Sequence, residues 1–389
     1  MSKWRECTLD QITTKIGSGA TPAGGGNVYK SEGISFIRSQ NVLDFRFSDD
    51  GLAFIDELQA NELRNVEVII NDILINITGE SVTRCCIVPP KYLPARVNQH
   101  VSIVRTNTEQ AYFLFIYYYF HSIKPELHSM AEIGCTRRAL TKGMLENLPI
   151  RLPPLPEQRA IAGVLTSLDD KIDLLHRQNK TLEAMAETLF RQWFVEEADE
   201  GWEKVPLSNY AENIRENVTV ENLIAYQYYV GLEHIPRKKI TLDNWGNTHS
   251  LESNKSVFKK NDILFGKLRS YFHKVVYAPL DGVCSTDILV IRPKKEKWFS
   301  FCLFWFFNEK VVEHSDLGSG GTRMPRTNWE IVSGYTIPAP NEQTIIKFDE
   351  LVKPMINKIS ENSNQIRTLE KLRDTLLPKL MSGEVRVAV

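Results

Sequence analysis

Residues 152–197, LPPLPEQRAIAGVLTSLDDKIDLLHRQNKTLEAMAETLFRQWFVEE, are the stretch around which this chain is organised. After the opening prolines the stretch contains no further proline, and its only glycine is Gly163. Apolar residues then recur every seven positions in two registers, which are Ile161, Leu168, Leu175, Leu182 and Leu189, and Leu165, Ile172, Ala186 and Trp193. This alternation predicts one helix, roughly 60 Å long at 1.5 Å per residue, with a narrow apolar stripe.

A second copy of the pattern lies near the C-terminus, where IPAPNEQ (residues 337–343) matches LPPLPEQ. The stripe that follows is formed by Ile345, Phe348, Val352, Met355, Ile359, Ile366, Leu369, Leu376 and Leu380. One asparagine in each helix, Asn179 and Asn362, occupies a core position, where a polar residue usually fixes register at some cost in stability. We predict that the helices pack antiparallel, related by a pseudo-twofold axis, with these asparagines near their crossing. The alternative is that each helix packs on its own globular core.

The second helix differs from the first because it contains a proline. Pro354 lies inside the second helical pattern. Proline lacks a backbone N–H and its ring clashes with the preceding turn. We therefore expect this helix to kink or restart near Lys353.

The regions outside the helices also repeat. The motif NDIL occurs at residues 71–74 and 261–264, and each copy precedes strand-like segments and an aromatic-rich segment, FLFIYYYF (113–120) or FCLFWFF (301–307). We interpret NDIL as a turn entering a strand, and the aromatic segments as buried helices rather than base-stacking surfaces. The pattern predicts an α+β protein with two similar α/β domains separated by a pair of long antiparallel helices. We place the domains at residues 1–152 and 201–337, and the helical regions at 153–200 and 338–389.

Composition places the chain among soluble globular proteins, with 42% hydrophobic residues. No apolar run approaches the roughly 20 residues that a membrane-spanning helix requires. The N-terminal MSKWRE lacks the apolar core of a signal peptide. The six cysteines show no CxxC pair and no spacing suited to zinc. We expect a cytoplasmic protein with reduced thiols, no metal site and no membrane association.

Catalytic motifs are missing from the sequence. It contains no Walker A motif, no GxSxG and no glycine-rich strand–turn–helix of the kind that binds S-adenosylmethionine. A DxK triplet at residues 169–171 lies on the predicted helix rather than on a nuclease-like strand. We predict that the chain is not an enzyme and binds no cofactor.

Polar and basic residues recur at matching places in the two domains. The formal net charge of −1 argues against DNA binding through phosphates alone, so base-edge contacts would have to contribute. Arginine suits guanine, asparagine and glutamine suit adenine, and lysine suits phosphate. The candidate DNA-binding residues of the first domain are Lys30, Arg38, Ser39, Gln40, Asn41, Arg84, Asn98, Gln99, His100, Arg137 and Arg138. Those of the second domain are Arg237, Lys238, Lys239, Lys267, Arg269, Tyr271, His273, Lys274, Arg323 and Arg326.

The order and duplication of these features resemble the specificity subunit of type I DNA restriction-modification systems. The resemblance covers essentially the whole chain and rests on LPPLPEQ, IPAPNEQ, NDIL, GKLRSY (266–271) and LLPKLMSGE (376–384). It implies a non-catalytic subunit in which each domain reads one half of a split, asymmetric double-stranded DNA target, while the helix pair sets the spacer. It also implies two modification subunits, which carry S-adenosylmethionine and methylate adenine, and two motor-nuclease restriction subunits as partners.

Two other interpretations stay open from the residues alone. The chain could be a non-catalytic DNA-binding adaptor of another methyltransferase system. It could also be a structural coiled-coil scaffold whose basic loops are ordinary surface. A DNA gel-shift with and without a co-expressed methyltransferase subunit separates the three.

Overall fold

The computed structural model describes residues 4–24, 28–132, 138–249, 251–318 and 324–388. The chain divides into two compact units, the first comprising residues 1–172 and 368–389 and the second residues 173–367. Both boundaries fall inside long helices, so each unit combines a globular part with portions of both helices. Our division into two domains and two helical regions stays a prediction.

The globular part of the first unit is built on one antiparallel and one mixed four-stranded sheet. Its described strands are β1 (Arg5–Thr8), β2 (Thr13–Ser18), β3 (Ile34–Ile37), β4 (Val42–Leu43), β5 (Arg46–Phe47), β6 (Ala53–Ile55), β7 (Glu67–Val68), β8 (Ile73–Asn76), β9 (Cys85–Ile87), β10 (Ala95–Val97), β11 (Val101–Thr106) and β12 (Pro149–Leu152). The helices are α1 (Glu57–Glu62), α2 (Phe113–Ser122), α3 (Lys124–Glu132), α4 (Lys142–Glu146) and the start of α5 (Leu155–Arg191). One sheet has the order β2-β11-β8-β9, and the other has the order β6-β3-β10-β7, with β3 and β10 parallel.

The second unit repeats this plan. Its described strands are β13 (Lys204–Pro206), β14 (Ala211–Ile214), β15 (Asn217–Val218), β16 (Tyr228–Val230), β17 (Gly246–Asn247), β18 (Lys255–Phe258), β19 (Ile263–Gly266), β20 (Val275–Tyr277), β21 (Gly282–Cys284), β22 (Ile288–Pro293) and β23 (Thr336–Pro338). The helices are α6 (Phe299–Phe307), α7 (Glu309–Leu317), α8 (Trp329–Gly334) and most of α9 (Glu342–Ser382). Sheet β14-β22-β19-β20 corresponds to β2-β11-β8-β9, and β13 pairs with β23 as β1 pairs with β12. The α+β class and the internal repeat are confirmed.

The NDIL motif builds the same turn in both units. Its asparagine has a positive φ, 69° at Asn71 and 70° at Asn261, a conformation that asparagine tolerates better than most residues. The buried aspartate that follows accepts a hydrogen bond from the backbone N–H three residues earlier. An arginine of the adjacent strand closes each turn with paired hydrogen bonds of 2.7–2.8 Å, Arg105 to Asp72 and Arg292 to Asp262. The chain then enters β8 and β19, as predicted.

The aromatic segments form the cores, as the sequence predicts. In the first unit Phe115 and Phe120 of α2 are at most 1% exposed and belong to the cluster that also contains Ile73 and Val104 of the sheet. In the second unit every residue of α6 is buried. Burying a large apolar side chain stabilises the fold by about 1.5–3 kcal/mol, so these helices dominate the packing.

Helices α5 and α9 share a core in each unit. In the first unit, Ile161 and Leu165 belong to the same cluster as Leu377 and Leu380. In the second unit the later residues Ala186 and Phe190 of α5 lie in one cluster with Phe348 and Val352, which come early in α9. The two helices therefore run antiparallel within each unit, which argues against separately packed helices. In the second unit, Asn362 Nδ2 donates to Asn179 Oδ1 at 2.8 Å, and the control of register by this pair stays a prediction.

The expected restart at Pro354 is wrong, because α9 is one helix from residue 342 to 382. Pro354 lies on the exposed face, so the ring occupies solvent and not the core. Val352 and Ile356 on either side are at most 2% exposed. Their burial holds both halves of the helix to the same surface and offsets the missing hydrogen bond.

Candidate nucleic-acid interface

Three loops meet at one end of the repeated sheet in each unit, and we name them by their residues. Cluster 1 consists of residues 76–84, 98–100 and 138–140, and cluster 2 consists of residues 266–274, 285–287 and 325–327. In cluster 1 the backbone bonds are Asn76 N to Arg84 O, Ile77 N to His100 O, Leu140 N to Ile77 O and Gly79 N to Arg138 O. In cluster 2 they are Gly266 N to Lys274 O, Lys267 N to Asp287 O, Thr327 N to Lys267 O and Arg269 N to Pro325 O. The same framework thus recurs, displaced by about 190 residues in its first loop.

The first loop of each cluster turns at the same two positions. Gly79 has φ 76° and its counterpart Arg269 has φ 52°, while Thr83 has φ 74° and its counterpart His273 has φ 51°. A non-glycine residue in this left-handed region costs of order 1–3 kcal/mol, and such conformations are concentrated at functional sites. The first unit has a glycine, Gly79, at one of these two positions. The second unit has a non-glycine residue at both, and therefore carries strain at both.

Most candidate residues of the first unit lie in or beside cluster 1. Exposed Gln99 and His100 follow buried Asn98, whose Oδ1 accepts from His100 N at 3.2 Å. His100 Nδ1 lies 2.6 Å from Thr78 Oγ1, so the imidazole is held against the first loop. The guanidinium of Arg138 lies 2.9 Å from Glu132, and half-buried Arg84 is part of the first loop.

The segment 38–41 adjoins cluster 1 through Ser39, whose carbonyl accepts from Asn76 Nδ2 at 2.9 Å. Arg38 donates to Gly51 O at 2.7 Å, and exposed Gln40 donates to the same oxygen at 3.3 Å. Asn41 is completely buried, because its side chain closes the 38–50 loop through bonds to Ser48 O, Asp50 O and Arg38 N. We therefore remove Asn41 from the candidate site.

Two further candidates of the first unit are not joined to cluster 1. Lys30 is exposed and pairs through its backbone with Phe54, at the β6 edge of the second sheet. Arg137 lies outside the described residues, as does Arg323 of the second unit.

Cluster 2 brings together Lys267, Arg269 and Arg326. Arg326 Nη2 lies 2.8 Å from Asp287 Oδ1, and the Arg326 side chain is 57% exposed. Lys267 is half-buried beside this pair, and burial lowers its pKa, with the nearby Arg326 and Arg215 adding to the effect while Asp287 opposes it. Loss of water around the Lys267 ammonium disfavours its charged form. An anionic group that approaches this lysine would stabilise the charged form, so its binding here would be favourable.

The other candidates of the second unit lie in the 266–274 loop or in the segment 237–239. The Arg237 guanidinium lies 3.8 Å from the centre of the Phe272 ring, and Lys238 Nζ lies 3.1 Å from Glu309. Lys239 and Tyr271 are exposed. Lys274 Nζ donates to Leu232 O, and burial lowers the pKa of this lysine.

His273 is a buried structural residue rather than a surface one. Its Nε2 lies 2.7 Å from Phe307 O, and its ring packs 4.6 Å from the Phe307 ring. Burial lowers the pKa of the imidazole, although the bond to Phe307 O opposes the shift. A side chain that is 6% exposed cannot reach a nucleic acid without local opening, so we remove His273 from the candidate site as well.

Sequence reasoning missed a groove beside cluster 2. The groove has a volume of about 430 Å³, and its lining includes Asn213, Arg215, Asn217, Ser256, Lys267, Thr286, Arg326, Asn328 and Glu330. Arg215 lies 3.1 Å from Glu330 at the rim. A signal for Arg215 existed, since it directly follows strand β14 in the polar segment RENV (215–218), but no matching segment occurs in the first repeat.

The described residues offer neither a metal centre nor a membrane-spanning helix. Across the residues that the structure describes, no group of three or more histidine, cysteine, aspartate or glutamate side chains is arranged to hold a metal ion. Within that same part of the chain, no helix is long and apolar enough to cross a membrane. The described cysteines are free thiols, and burial raises the pKa of Cys284 to about 12.

Comparison with known proteins points to one family. The profile described as "Type I restriction modification DNA specificity domain" matches residues 1–184 and again residues 200–369. The MjaIX specificity subunit of a type I restriction enzyme from Methanocaldococcus jannaschii is 27% identical over 300 residues, covering 69% of this chain and 68% of that protein. The HindI specificity subunit from Haemophilus influenzae is 22% identical over 469 residues, covering 99% of this chain and 100% of that protein.

A solved structure shares the fold. The S subunit of a type I restriction-modification system from M. genitalium has a TM-score of 0.62 and 15% identity, covering 97% of this chain and 96% of that one. The duplicated profile match agrees with the duplicated sheets and loop clusters seen here. This chain therefore belongs to the type I restriction-modification DNA specificity family.

Proposed function

We propose that this chain reads a split, asymmetric double-stranded DNA target, with clusters 1 and 2 each reading one half. The chain supplies recognition and no catalytic step. Two modification subunits would bring S-adenosylmethionine and methylate adenine, and two restriction subunits would complete the nuclease complex. Membership of the specificity family supports the DNA target, and the duplicated profile match supports a target in two halves.

The observation that carries this proposal is one backbone framework holding different side chains. Ile77 corresponds to Lys267, and Ala139 corresponds to Arg326, by the hydrogen bonds and bridges that they make. Base pairs differ in the pattern of donors and acceptors that they present in the major groove. Two copies of one framework that carry different side chains would therefore read two different DNA sequences with the same docking geometry.

The long helix α5 suits protein docking better than DNA binding. Residues 156–200 contain twice as many acidic as basic side chains, which repels phosphate. Leu174 and Met185 of α5 are 39% and 47% exposed, although the helix has apolar partners on its other side. A largely apolar groove of about 580 Å³ runs along the face formed by Lys180, Thr181, Ala184, Met185, Thr188 and Leu189. We propose this face as a contact for a modification subunit.

The helices would also set the spacer between the half-sites. Both α5 and α9 continue from one unit into the other, so lengthening the two helices lengthens both connections between the units. Adding one heptad to each helix lengthens them by about 10 Å. We expect the spacer to grow by about three base pairs at 3.4 Å each, while both half-sites stay the same.

The test is a selection of random duplex DNA by the full chain co-expressed with its modification subunits. We expect substitution of His100 and Arg138 by alanine to change the selected sequence in one half-site only. Substitution of Arg326 by alanine should change the other half only. Lys204→Ala removes an exposed charge on β13, outside both clusters, and serves as the control. If the substitutions altered both halves alike, or altered neither, the assignment of one cluster to each half would be wrong.

A further inference from the structure

The groove beside cluster 2 contains oriented charges of both signs. Arg326, which lines the groove, forms an ion pair at 2.8 Å with the adjoining Asp287, and we call these two residues the inner pair. Arg215 and Glu330, which both line the groove, form a second pair at 3.1 Å. The inner pair is the less exposed of the two, since the Asp287 side chain is 30% exposed and that of Glu330 is 68% exposed. The inner pair is therefore the more shielded from water, and its attraction is less screened.

The backbone fixes both members of the inner pair. Arg326 lies in an antiparallel bridge with Leu268, and the flanking bonds from Arg269 N to Pro325 O and from Thr327 N to Lys267 O hold it on both sides. Asp287 N donates to Ser285 Oγ at 3.2 Å, and Asp287 O accepts from Lys267 N at 2.8 Å. Contacts that place side chains on a fixed backbone reduce the entropy lost on binding.

Two of the three asparagine side chains that line the groove are engaged within the protein. Asn328 Oδ1 accepts from Ile331 N at 3.0 Å and caps α8. Asn217 Oδ1 accepts from Ser256 Oγ at 3.2 Å. Asparagine reads adenine through both its donor and its acceptor, so an amide whose oxygen is already bonded is poorly suited to that task. The arginine and the carboxylate are better placed to read a base pair.

A carboxylate next to the arginine favours a base pair over a phosphate. Phosphate would meet repulsion from Asp287, which pairs with Arg326 and interacts electrostatically with Lys267. A G·C pair presents two acceptors on guanine, O6 and N7, and an amino donor on cytosine N4, and these match arginine and carboxylate respectively. A guanidinium has five N–H donors and a carboxylate has about four acceptor positions, so one bond between them leaves capacity for a base pair.

We propose that Arg326 and Asp287 read one G·C base pair in the half-site bound by cluster 2, with Arg326 on guanine and Asp287 on cytosine. This inference rests on the proposed function. The corresponding positions of cluster 1 hold Ala139 and His100, so this reading is confined to the second half-site.

The first experiment compares variants in the random-DNA selection. We expect one G·C pair to be invariant in the half-site that cluster 2 of the wild-type complex reads. Arg326→Lys keeps the charge but loses the planar fork, and Asp287→Asn keeps the shape but loses the charge. Each should reduce discrimination at that one pair by about 5- to 150-fold, as for loss of a bidentate base contact. Lys267→Ala is the matched control, and should weaken all sequences alike.

A second experiment uses the unaltered protein and modified DNA, so it does not depend on the folding of a variant. 7-Deazaguanine at the invariant position removes the N7 acceptor while leaving the pairing with cytosine intact. We expect weaker binding for this duplex, and unchanged binding when the same base replaces a guanine in the spacer.

The outcomes separate this inference from the proposed function. Uniform weakening by Arg326→Lys, unchanged discrimination in Asp287→Asn, or full binding to the 7-deazaguanine duplex would overturn the G·C assignment alone. A wild-type half-site without an invariant G·C pair would overturn it too. Selection of no sequence by the wild-type complex would refute the proposed function, and this inference with it.

Discussion

Replacing Arg373 by methionine should loosen the first unit and leave the second unaffected. Arg373 lies in the apolar stripe of α9, with 8% of its side chain exposed. Its Nη1 donates to Asp169 Oδ1 of α5 at 2.9 Å, and its guanidinium lies 3.6 Å from the centre of the Phe45 ring. Methionine keeps most of the aliphatic packing but removes both of these interactions.

The expected cost follows from what is left behind. Asp169 is 19% exposed and would keep one hydrogen bond, from the Tyr118 hydroxyl at 2.7 Å. Removing one partner of a buried ion pair costs about 3–5 kcal/mol, because the other charge stays buried without compensation. The remaining hydrogen bond and the partial exposure place the expected value at the lower end, about 3 kcal/mol.

Hydrogen exchange measured by mass spectrometry can localise the effect. A loss of about 3 kcal/mol corresponds to roughly 150-fold faster exchange, since each 1.4 kcal/mol is a factor of ten. We expect this acceleration in peptides from α2 and from the end of α9. Peptides from α6 in the second unit are the internal control and should exchange as in the wild type.

The pH dependence of this cost has a definite sign. Burial raises the pKa of Asp169, although Tyr118 and Arg373 oppose the shift. The folded state therefore binds more protons than the unfolded chain in the acid range, and the contribution of Asp169 to stability falls as the pH rises through its raised pKa. Loss of Arg373 raises the pKa further, so the cost should be largest near neutral pH and shrink on acidification. Equal costs at pH 5 and pH 7, or acceleration spread evenly over α6, would refute this reasoning.

Three further predictions concern the second unit. Burial lowers the pKa of His273, so the unfolded chain binds more protons and stability should fall as the pH drops below about 6.5. His273→Asn, in which asparagine tolerates the positive φ, should make the melting temperature depend less on pH. An unchanged pH dependence of the melting temperature would contradict this. Asn362→Ala leaves Asn179 without its 2.8 Å bond and should cost about 1–3 kcal/mol in urea unfolding, whereas leucine at both positions should be neutral or stabilising. Lys267→Ala should lower the slope of log affinity against log salt by about 0.9, and a loss confined to one DNA sequence would indicate a base contact instead.

Several features of this protein could be read from the sequence because their signals are local. The heptad spacing of Ile161 and Leu165 predicted a long helix, since periodicity alone decides which side of a helix is apolar. The repeated NDIL motif marked the same strand entry twice, because an asparagine–aspartate turn requires only neighbouring backbone groups. The duplicated order of these motifs was enough to reveal the internal repeat.

The candidate site could be predicted only in part, because a polar side chain has the same letter whether it faces solvent or the interior. Asn41 and His273 lie in the predicted loops, yet each is buried by bonds to backbone groups that the fold supplies. Arg215 was missed because strand β14 carries it to the rim of the cluster 2 groove, and no motif marks that position.

From the sequence alone, the two long helices, the internal repeat and the resemblance to one family could therefore be recognised. The tertiary structure alone decided which charged side chains are paired and which are exposed to solvent. Arg373 illustrates the reason, since its partner Asp169 lies 204 residues away in the chain. Burial of a charge is favourable only when the fold brings such a partner within hydrogen-bonding distance, and no local pattern of residues contains that information.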